Sequence, residues 1–177
     1  MIGCVEVTRI EVPDPGLILL VGPTGAGKST FARAHFGSTE VVSSDHCRAL
    51  VADDENDQSA TAAAFRVLDL ITALRLERRR LTVIDATNVQ PVWREQLVGL
   101  ARAHDVPCVA IVFDLPLETY LARARARTDR RLTPSVVRRH HATLQRSPPV
   151  AGEGFARVWF LRTPEEVSTV VVTRRPL

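Results

Sequence analysis

Lysine is almost absent from this chain. Of 23 basic residues, Lys28 alone is a lysine and every other is an arginine. A protein that dispenses with lysine nearly everywhere and keeps it at one position needs an ammonium there. Other absences narrow the class. No apolar run reaches membrane-spanning length. Met1 to Pro13 carries acids and no continuous apolar core, which predicts no signal peptide. Cys4, Cys47 and Cys108 are odd in number, far apart and without metal-ligand spacing. Reduced thiols in a cytoplasmic protein are therefore expected, with Cys47 a small buried hydrophobe. There is no internal repeat and no low-complexity linker. What remains is 177 residues, 45% hydrophobic, with mean hydropathy +0.02. One domain over 1–177 with a real core is expected.

The lysine lies in Gly22-Pro23-Thr24-Gly25-Ala26-Gly27-Lys28-Ser29-Thr30. Gly22, four residues, then Gly27-Lys28-Ser29 is the phosphate-binding P-loop pattern. Leu17–Val21 before it reads as a buried strand, and Phe31–Phe36 after it as a helix, which is the context the motif requires. The glycines let successive N–H groups turn into one concavity, and the helix N-terminus adds partial positive charge. Residues 22–30 are thus the candidate ATP-binding loop. Lys28 is the cation for the β- and γ-phosphates, and Ser29 the hydroxyl for Mg²⁺. The competing account is a chance glycine-rich turn; the flanking strand and helix argue against it.

Charge is unevenly spread. Between Arg123 and Arg146 eight arginines face the single acid Asp129, and between Asp45 and Asp57 five acids face Arg48. The basic stretch requires an anionic partner: nucleotide phosphates, a nucleic-acid backbone, or both.

The remaining elements alternate. A short irregular strand spans Val5 to Val12, then come the P-loop strand and helix, and a strand at Val41–Ser43. A helix capped by Ser59 runs to about Arg79, with Ala63, Val67, Leu70, Ile71 and Leu74 on one stripe. Strands at 81–85 and 108–113 follow, each succeeded by a helix (92–103 and 117 to about 127). Thr133-Pro134 starts another helix, ended by Pro148-Pro149. Strands at 158–161 and 169–173 flank a helical turn opened by Thr163. Apolar strands alternating with helices predict an α/β P-loop fold. Its doubly wound, mainly parallel five-stranded sheet is covered on both faces, with an arginine-rich helical lid over about 123–147. Ligands in such folds sit beyond the carboxyl ends of the strands. Asp45, Asp85-Ala86-Thr87-Asn88 and the arginine-rich segment all fall there.

A GTPase would need a glycine three residues after the strand-end aspartate and an Asn-Lys-x-Asp; neither is present. A mechanical or AAA-type ATPase normally needs more chain. A small phosphotransferase remains, requiring a base, cations on the transferring group and exclusion of water. Asp45 is the candidate base, and Arg48, a helical turn on, a holder of an anionic acceptor group. A capping aspartate with a structural ion pair fits the same residues. Arg123 and Arg127 share one helix face and, with Arg130, can close over ATP; a solvated arginine face fits equally. Asp85 is expected to support Mg²⁺ through water. Thr87 and Asn88 read either as substrate contacts or as a turn. His140 and His141 read as phosphate contacts or, by preference, as lid surface, and Arg78-Arg79-Arg80 as a helix C-terminus.

Five blocks in order carry a resemblance: 22–32, 41–48 (Val-Val-Ser-Ser-Asp-His-Cys-Arg), 53–61, 85–89 (Asp-Ala-Thr-Asn-Val) and 127–130 (Arg-Thr-Asp-Arg). From about residue 13 onward the chain resembles the kinase domain of bacterial polynucleotide kinase-phosphatases, which are RNA end-healing enzymes, and more loosely bacteriophage polynucleotide kinases. The resemblance implies transfer of the γ-phosphate of ATP or another NTP to the 5′-OH of RNA or DNA. It implies that Asp45 is the general base, that Arg48 holds the acceptor's 3′ phosphate, and that Arg123 and Arg127 act on the donor phosphates. It further implies a homodimer, and linked phosphatase and ligase-like domains in a longer chain. Arg138 and Arg139 lie outside what the resemblance covers; they are expected to steer the polyanionic acceptor, as extra arginines of the lid.

Overall fold

The protein is described by a computed structural model over residues 8–126 and 133–177. Arg127, Arg130 and Cys4 lie outside the described residues, as does the part before Thr8 of the strand expected over Val5 to Val12.

Two strands near the ends of the chain, β1 (Arg9–Asp14) and β7 (Val171–Pro176), pair with each other in parallel and stand apart from the main sheet. The P-loop strand β2 (Leu17–Val21) and its neighbour β5 (Cys108–Phe113) are buried at every position. Apolar runs without alternation need cover on both faces, and the fold supplies it. The main sheet has five parallel strands in the order β3 (Val41–Ser43), β4 (Thr82–Asp85), β2, β5, β6 (Arg157–Leu161). Successive residues of β2 serve opposite faces. Ile18 and Leu20 join a core with α1 (Lys28–His35), α5 (Leu117–Ala126) and the first half of α6 (Pro134–Arg146). Leu17, Leu19 and Val21 join a second core with α2 (Ser44–Ala52), α3 (Thr61–Glu77) and α4 (Pro91–Ala103). A short α7 (Pro164–Thr169) precedes β7. Cys47 and Cys108 are free thiols inside the second core, both held above the usual thiol range by burial.

The chain leaves β2 toward β3 on one side and later reaches β5 on the other. The crevice beyond the carboxyl end of β2 is therefore the switch point of the sheet. Its two walls are built differently: α2 and the β4–α4 loop on one side, α5 and α6 on the other.

Local readings are corrected in three places. Ser43, rather than Asp45, caps the helix after β3: it ends the strand and caps α2 in one residue, accepting from His46 N at 3.4 Å. The cap beside Asp45 is therefore Ser43, and Asp45 sits in the first turn, where a carboxylate favours the helix dipole. Ser59 does not cap α3. Asp57 accepts from Ser59 N and Oγ, at 2.9 and 2.6 Å, and so shapes a 3-10 turn over Gln58–Ala60. The buried stripe of α3 is Ala64, Leu68, Thr72 and Leu76, while Leu70 and Leu74 are 60% and 49% exposed. That helix is apolar around much of its circumference, so periodicity alone does not select its inner face. Thr72 is tolerated inside because its hydroxyl donates to Leu68 O at 2.7 Å.

Candidate active site

The P-loop is shaped by its glycines. Gly25 and Gly27 adopt φ of 86° and 93°, a region where side chains are strained. A Cβ on Gly22 would lie 3.0 Å from Phe113 Cβ and 3.2 Å from Phe113 O, so any other residue there would require β5 and the loop to move apart by a few tenths of an ångström. The Lys28 ammonium donates to Gly22 O at 2.8 Å and Pro23 O at 2.9 Å, drawing the start of the loop onto the start of α1. Lys28 is buried, whereas Ser29 and Thr30 are exposed on the first turn of α1. Thr24 is half-buried, and Ala26 is buried.

On the β4 side, Asp85 closes its strand, 8% exposed, in register with Leu20 of the P-loop strand and with Ser43. Two residues past Ser43 comes Asp45. Arg48, only 5% exposed, donates through Nη1 to Asp45 Oδ1 and to Glu55 O, both at 2.7 Å. The Asp45 side chain remains 40% exposed. A buried cation thus holds a carboxylate whose face is open to solvent. Nε of Arg48 is buried with no hydrogen-bond partner among the described residues.

The β4–α4 loop binds the P-loop to the sheet. Gly22 N donates to Thr87 O at 2.9 Å, and Asn88, at φ 50°, donates from Nδ2 to Leu20 O at 2.9 Å. Asn88 is 2% exposed with its amide turned inward, so its geometry is that of a tie between strands; Thr87 is half-buried. The bonds of the Asn88 amide describe the turn, while Thr87 joins it through its carbonyl alone, which leaves both meanings open for its side chain.

On the β5 side helices α5 and α6 touch the loop directly. Arg123 Nη1 donates to Ala26 O at 2.9 Å, and the carbonyl of Tyr120 lies 3.2 Å from where a Cβ on Gly25 would stand. His140 Nδ1, on α6, is 3.4 Å from Thr24 Oγ1. The histidine read as lid surface therefore faces the P-loop. Arg138 and Arg139, beside it, are exposed.

Three residues of this site escape the sequence reasoning. Tyr120 is fully buried; its hydroxyl donates to Phe113 O at 2.6 Å and accepts from Leu115 N at 2.7 Å, fixing the base of α5 to the end of β5. Burial pushes this phenol well above its ordinary range. Arg94 and Glu153 form the other pair, with Arg94 wholly buried. Its position was readable: Arg94, Leu97, Val98 and Ala101 share one helix face, and an arginine within an apolar stripe needs a buried acceptor.

Chemically, the site joins a phosphate-binding loop, a lysine, a strand-end carboxylate, an open carboxylate held by an arginine, and lid cations. Among the described residues no group of three His, Cys, Asp or Glu side chains can hold a metal alone. A hydroxyl and a carboxylate from Ser29 and Asp85 are hard oxygen donors that fit Mg²⁺ shared with phosphates. No helix among the described residues is long and apolar enough to cross a membrane.

A family model described as an AAA domain matches residues 17–148, from β2 through the end of α6. Among solved structures, similarity extends to a kinase candidate from Chloroflexus aurantiacus, 17% identical, with a TM-score of 0.66 over 86% of this chain and 91% of that one. A chain of the Pnkp1/Rnl/Hen1 RNA repair complex is 25% identical, with a TM-score of 0.66 over 76% of this chain and 45% of its own length. A gluconokinase from Sinorhizobium meliloti is 16% identical, with a TM-score of 0.57 over 90% and 89%. No curated protein matches in sequence. The matched span contains the P-loop core, and these structural relatives share a P-loop kinase fold with this chain.

Proposed function

We propose a polynucleotide 5′-hydroxyl kinase activity for this chain, which belongs to the AAA domain family and is a P-loop kinase by fold. The observation that carries the acceptor assignment is the surface of α6: His140 reaches the P-loop while Arg138 and Arg139 beside it stand exposed. Exposed arginines on the helix that brings His140 to the donor loop suit a chain of phosphates. The five sequence blocks and the 25% identity to a repair-complex chain support the same reading. This chain spans 45% of that relative's length, so linked phosphatase and ligase-like domains, and a homodimer, belong to the proposal alone.

In this reading residues 22–30 hold the ATP phosphates, with Lys28 on the β- and γ-phosphates. Mg²⁺ would be held by Ser29 and, through water, by Asp85; it supplies charge neutralisation on the transferring group. Asp45 accepts the proton of the 5′-OH and aims the oxygen, kept in orientation by Arg48. Arg48 faces the acceptor's neighbouring phosphate through its remaining donors. Arg123 moves from Ala26 O to the phosphoryl oxygens as charge develops there. Arg127 and Arg130 complete the lid. Asn88 acts on the substrate through the loop it holds, and the Thr87 hydroxyl is the substrate contact of that loop.

One observation favours a second reading. Asp53, Asp54, Glu55 and Asp57 lie on the acceptor side, beside Arg48, and Asp53, Asp54 and Glu55 are exposed. Carboxylates there repel a polyanion and suit a compact neutral acceptor, such as a sugar or nucleoside, phosphorylated by the same machinery. Incubation with ATP and a 5′-OH oligonucleotide, against ATP with nucleosides and sugars, separates the two. Label in the oligonucleotide alone supports the first reading, and label in a small molecule alone supports the second.

A further inference from the structure

We propose that the buried Arg94–Glu153 pair is the tie that sets the lid against the P-loop, and so positions the donor-side cations for phosphoryl transfer. The proposal rests on the kinase reading of the site but not on the identity of the acceptor.

Every donor of Arg94 is used. Nε and Nη2 form a two-pronged bond to Glu153, at 2.7 and 2.8 Å. Nη1 donates to Val89 O at 2.9 Å and to Asn88 O at 3.3 Å, and Nη2 donates to Ser147 O at 3.1 Å. The fixed planar fork of a guanidinium can serve three chain segments at set angles; an ammonium cannot. The segments it serves are the two sides of the donor site. Asn88 and Val89 belong to the loop whose Thr87 carbonyl holds Gly22 N and whose Asn88 amide holds Leu20 O. Ser147 is the residue on which α6 ends. One connection from the first glycine of the P-loop to the end of the lid helix runs through this loop and this side chain, while Gln145, which donates to Asp114 Oδ1 at 2.7 Å, holds the same end of α6 to the loop after β5.

The other end of the lever is visible. About two turns before Ser147, α6 brings His140 to Thr24, so the helix is held at its C-terminal end by Arg94 and meets the P-loop roughly 10 Å further along. The α5 helix, carrying Arg123, packs on α6. A shift at Ser147 therefore moves the lid relative to the loop. A guanidinium at 0% exposure also demands its carboxylate, because an uncompensated buried charge is strongly unfavourable. Glu153 lies in a separate 3-10 turn, Ala151–Glu153, which is thereby recruited into the site although its described hydrogen bonds do not reach the P-loop.

The test is a double-mutant cycle of Glu153→Gln and Arg123→Ala, read as kcat at saturating ATP and acceptor, per folded active site, with thermal unfolding measured in parallel. Arg123 shares no described hydrogen bond with Arg94 or Glu153. Misplacing catalytic groups by a fraction of an ångström predicts that Glu153→Gln lowers kcat about tenfold in the native background and by no more than about twofold once Arg123 is gone. Equal fold-losses in both backgrounds, or a lowered Tm with kcat unchanged, would overturn the proposal, since a merely structural pair behaves that way. If Glu153→Gln fails to fold, Arg94→Lys, which keeps the charge and loses the fork, enters the same cycle with the same expectation. If no oligonucleotide is phosphorylated, the cycle is run on slow ATP hydrolysis, with water as acceptor. A failure of the acceptor reading thus remains distinct from a failure of the tie.

Discussion

Arg48 sits beneath Asp45 and donates to its Oδ1 at 2.7 Å, with the arginine 5% and the aspartate 40% exposed. The pair is therefore asymmetric: the cation is buried while the carboxylate remains open to solvent. A capping or purely structural ion pair has no need for that asymmetry, whereas a base that must meet a substrate hydroxyl does.

Asp45→Asn preserves shape and can still receive a bond from Arg48, but it is a far poorer proton acceptor. Phosphotransfer should fall by about 10²–10⁴-fold while ATP binding persists. Calorimetric titration with ATP and single-turnover transfer check this. A folded variant with near-native turnover would return Asp45 to its structural role.

Lys28→Ala removes the ammonium that gathers Gly22 O and Pro23 O and that would face the donor phosphates. Loss of one such preorganised charge should lower kcat by about 10²–10³-fold. Because the loop also loses an internal brace, ATP affinity should weaken too. Steady-state kinetics over a range of ATP concentrations reports both effects.

Arg123 and the Arg138–Arg139 pair should separate cleanly. Arg123→Ala removes the bond to Ala26 O and a cation over the loop, so it should reduce kcat with the salt dependence intact. Arg138→Ala with Arg139→Ala should raise KM for long oligonucleotides and spare a mononucleotide acceptor. The salt dependence of binding should flatten by about one unit of slope for each phosphate that is no longer neutralised. Equal losses on both acceptors would refute the steering role.

Tyr120→Phe keeps the ring and deletes the hydroxyl that joins Phe113 O to Leu115 N. A buried N–H and a buried carbonyl lose their partner, at a cost of about 1–3 kcal/mol. For a chain of this size Tm should drop by about 2–4 °C per kcal/mol. An unchanged melting curve would show that water replaces the hydroxyl without loss.

Much of this was legible in the residues because it rests on local pattern. The apolar runs 17–21 and 108–113 announce buried parallel strands, and the loop at 22–30 declares its chemistry through glycine spacing and the lone lysine. The inner face of α3 was not legible, since Leu70 and Leu74 are as apolar as the residues that are buried. Of helix α2 only the turn from Asp45 to Arg48 was legible, because Ser43 ends a strand and caps a helix at once, leaving no loop to mark the change. The partners of Arg94 and of Arg123 are long-range: Glu153 is 59 residues from Arg94, and Ala26 is 97 from Arg123. No pattern within either helix names such a partner. Asn88 shows the converse. Its type and place at a strand end invite a substrate role, but a bond to Leu20 O, 68 residues away, takes its amide inward.

The most direct test of the central claim is transfer of label from γ-labelled ATP, with Mg²⁺, to an oligonucleotide bearing a 5′-OH, with a 5′-phosphorylated oligonucleotide of the same sequence as control. The account predicts label at the 5′ end of the first, none in the second, and none in either with Asp45→Asn. Label absent from the oligonucleotide but present in a nucleoside or sugar under the same conditions would contradict it.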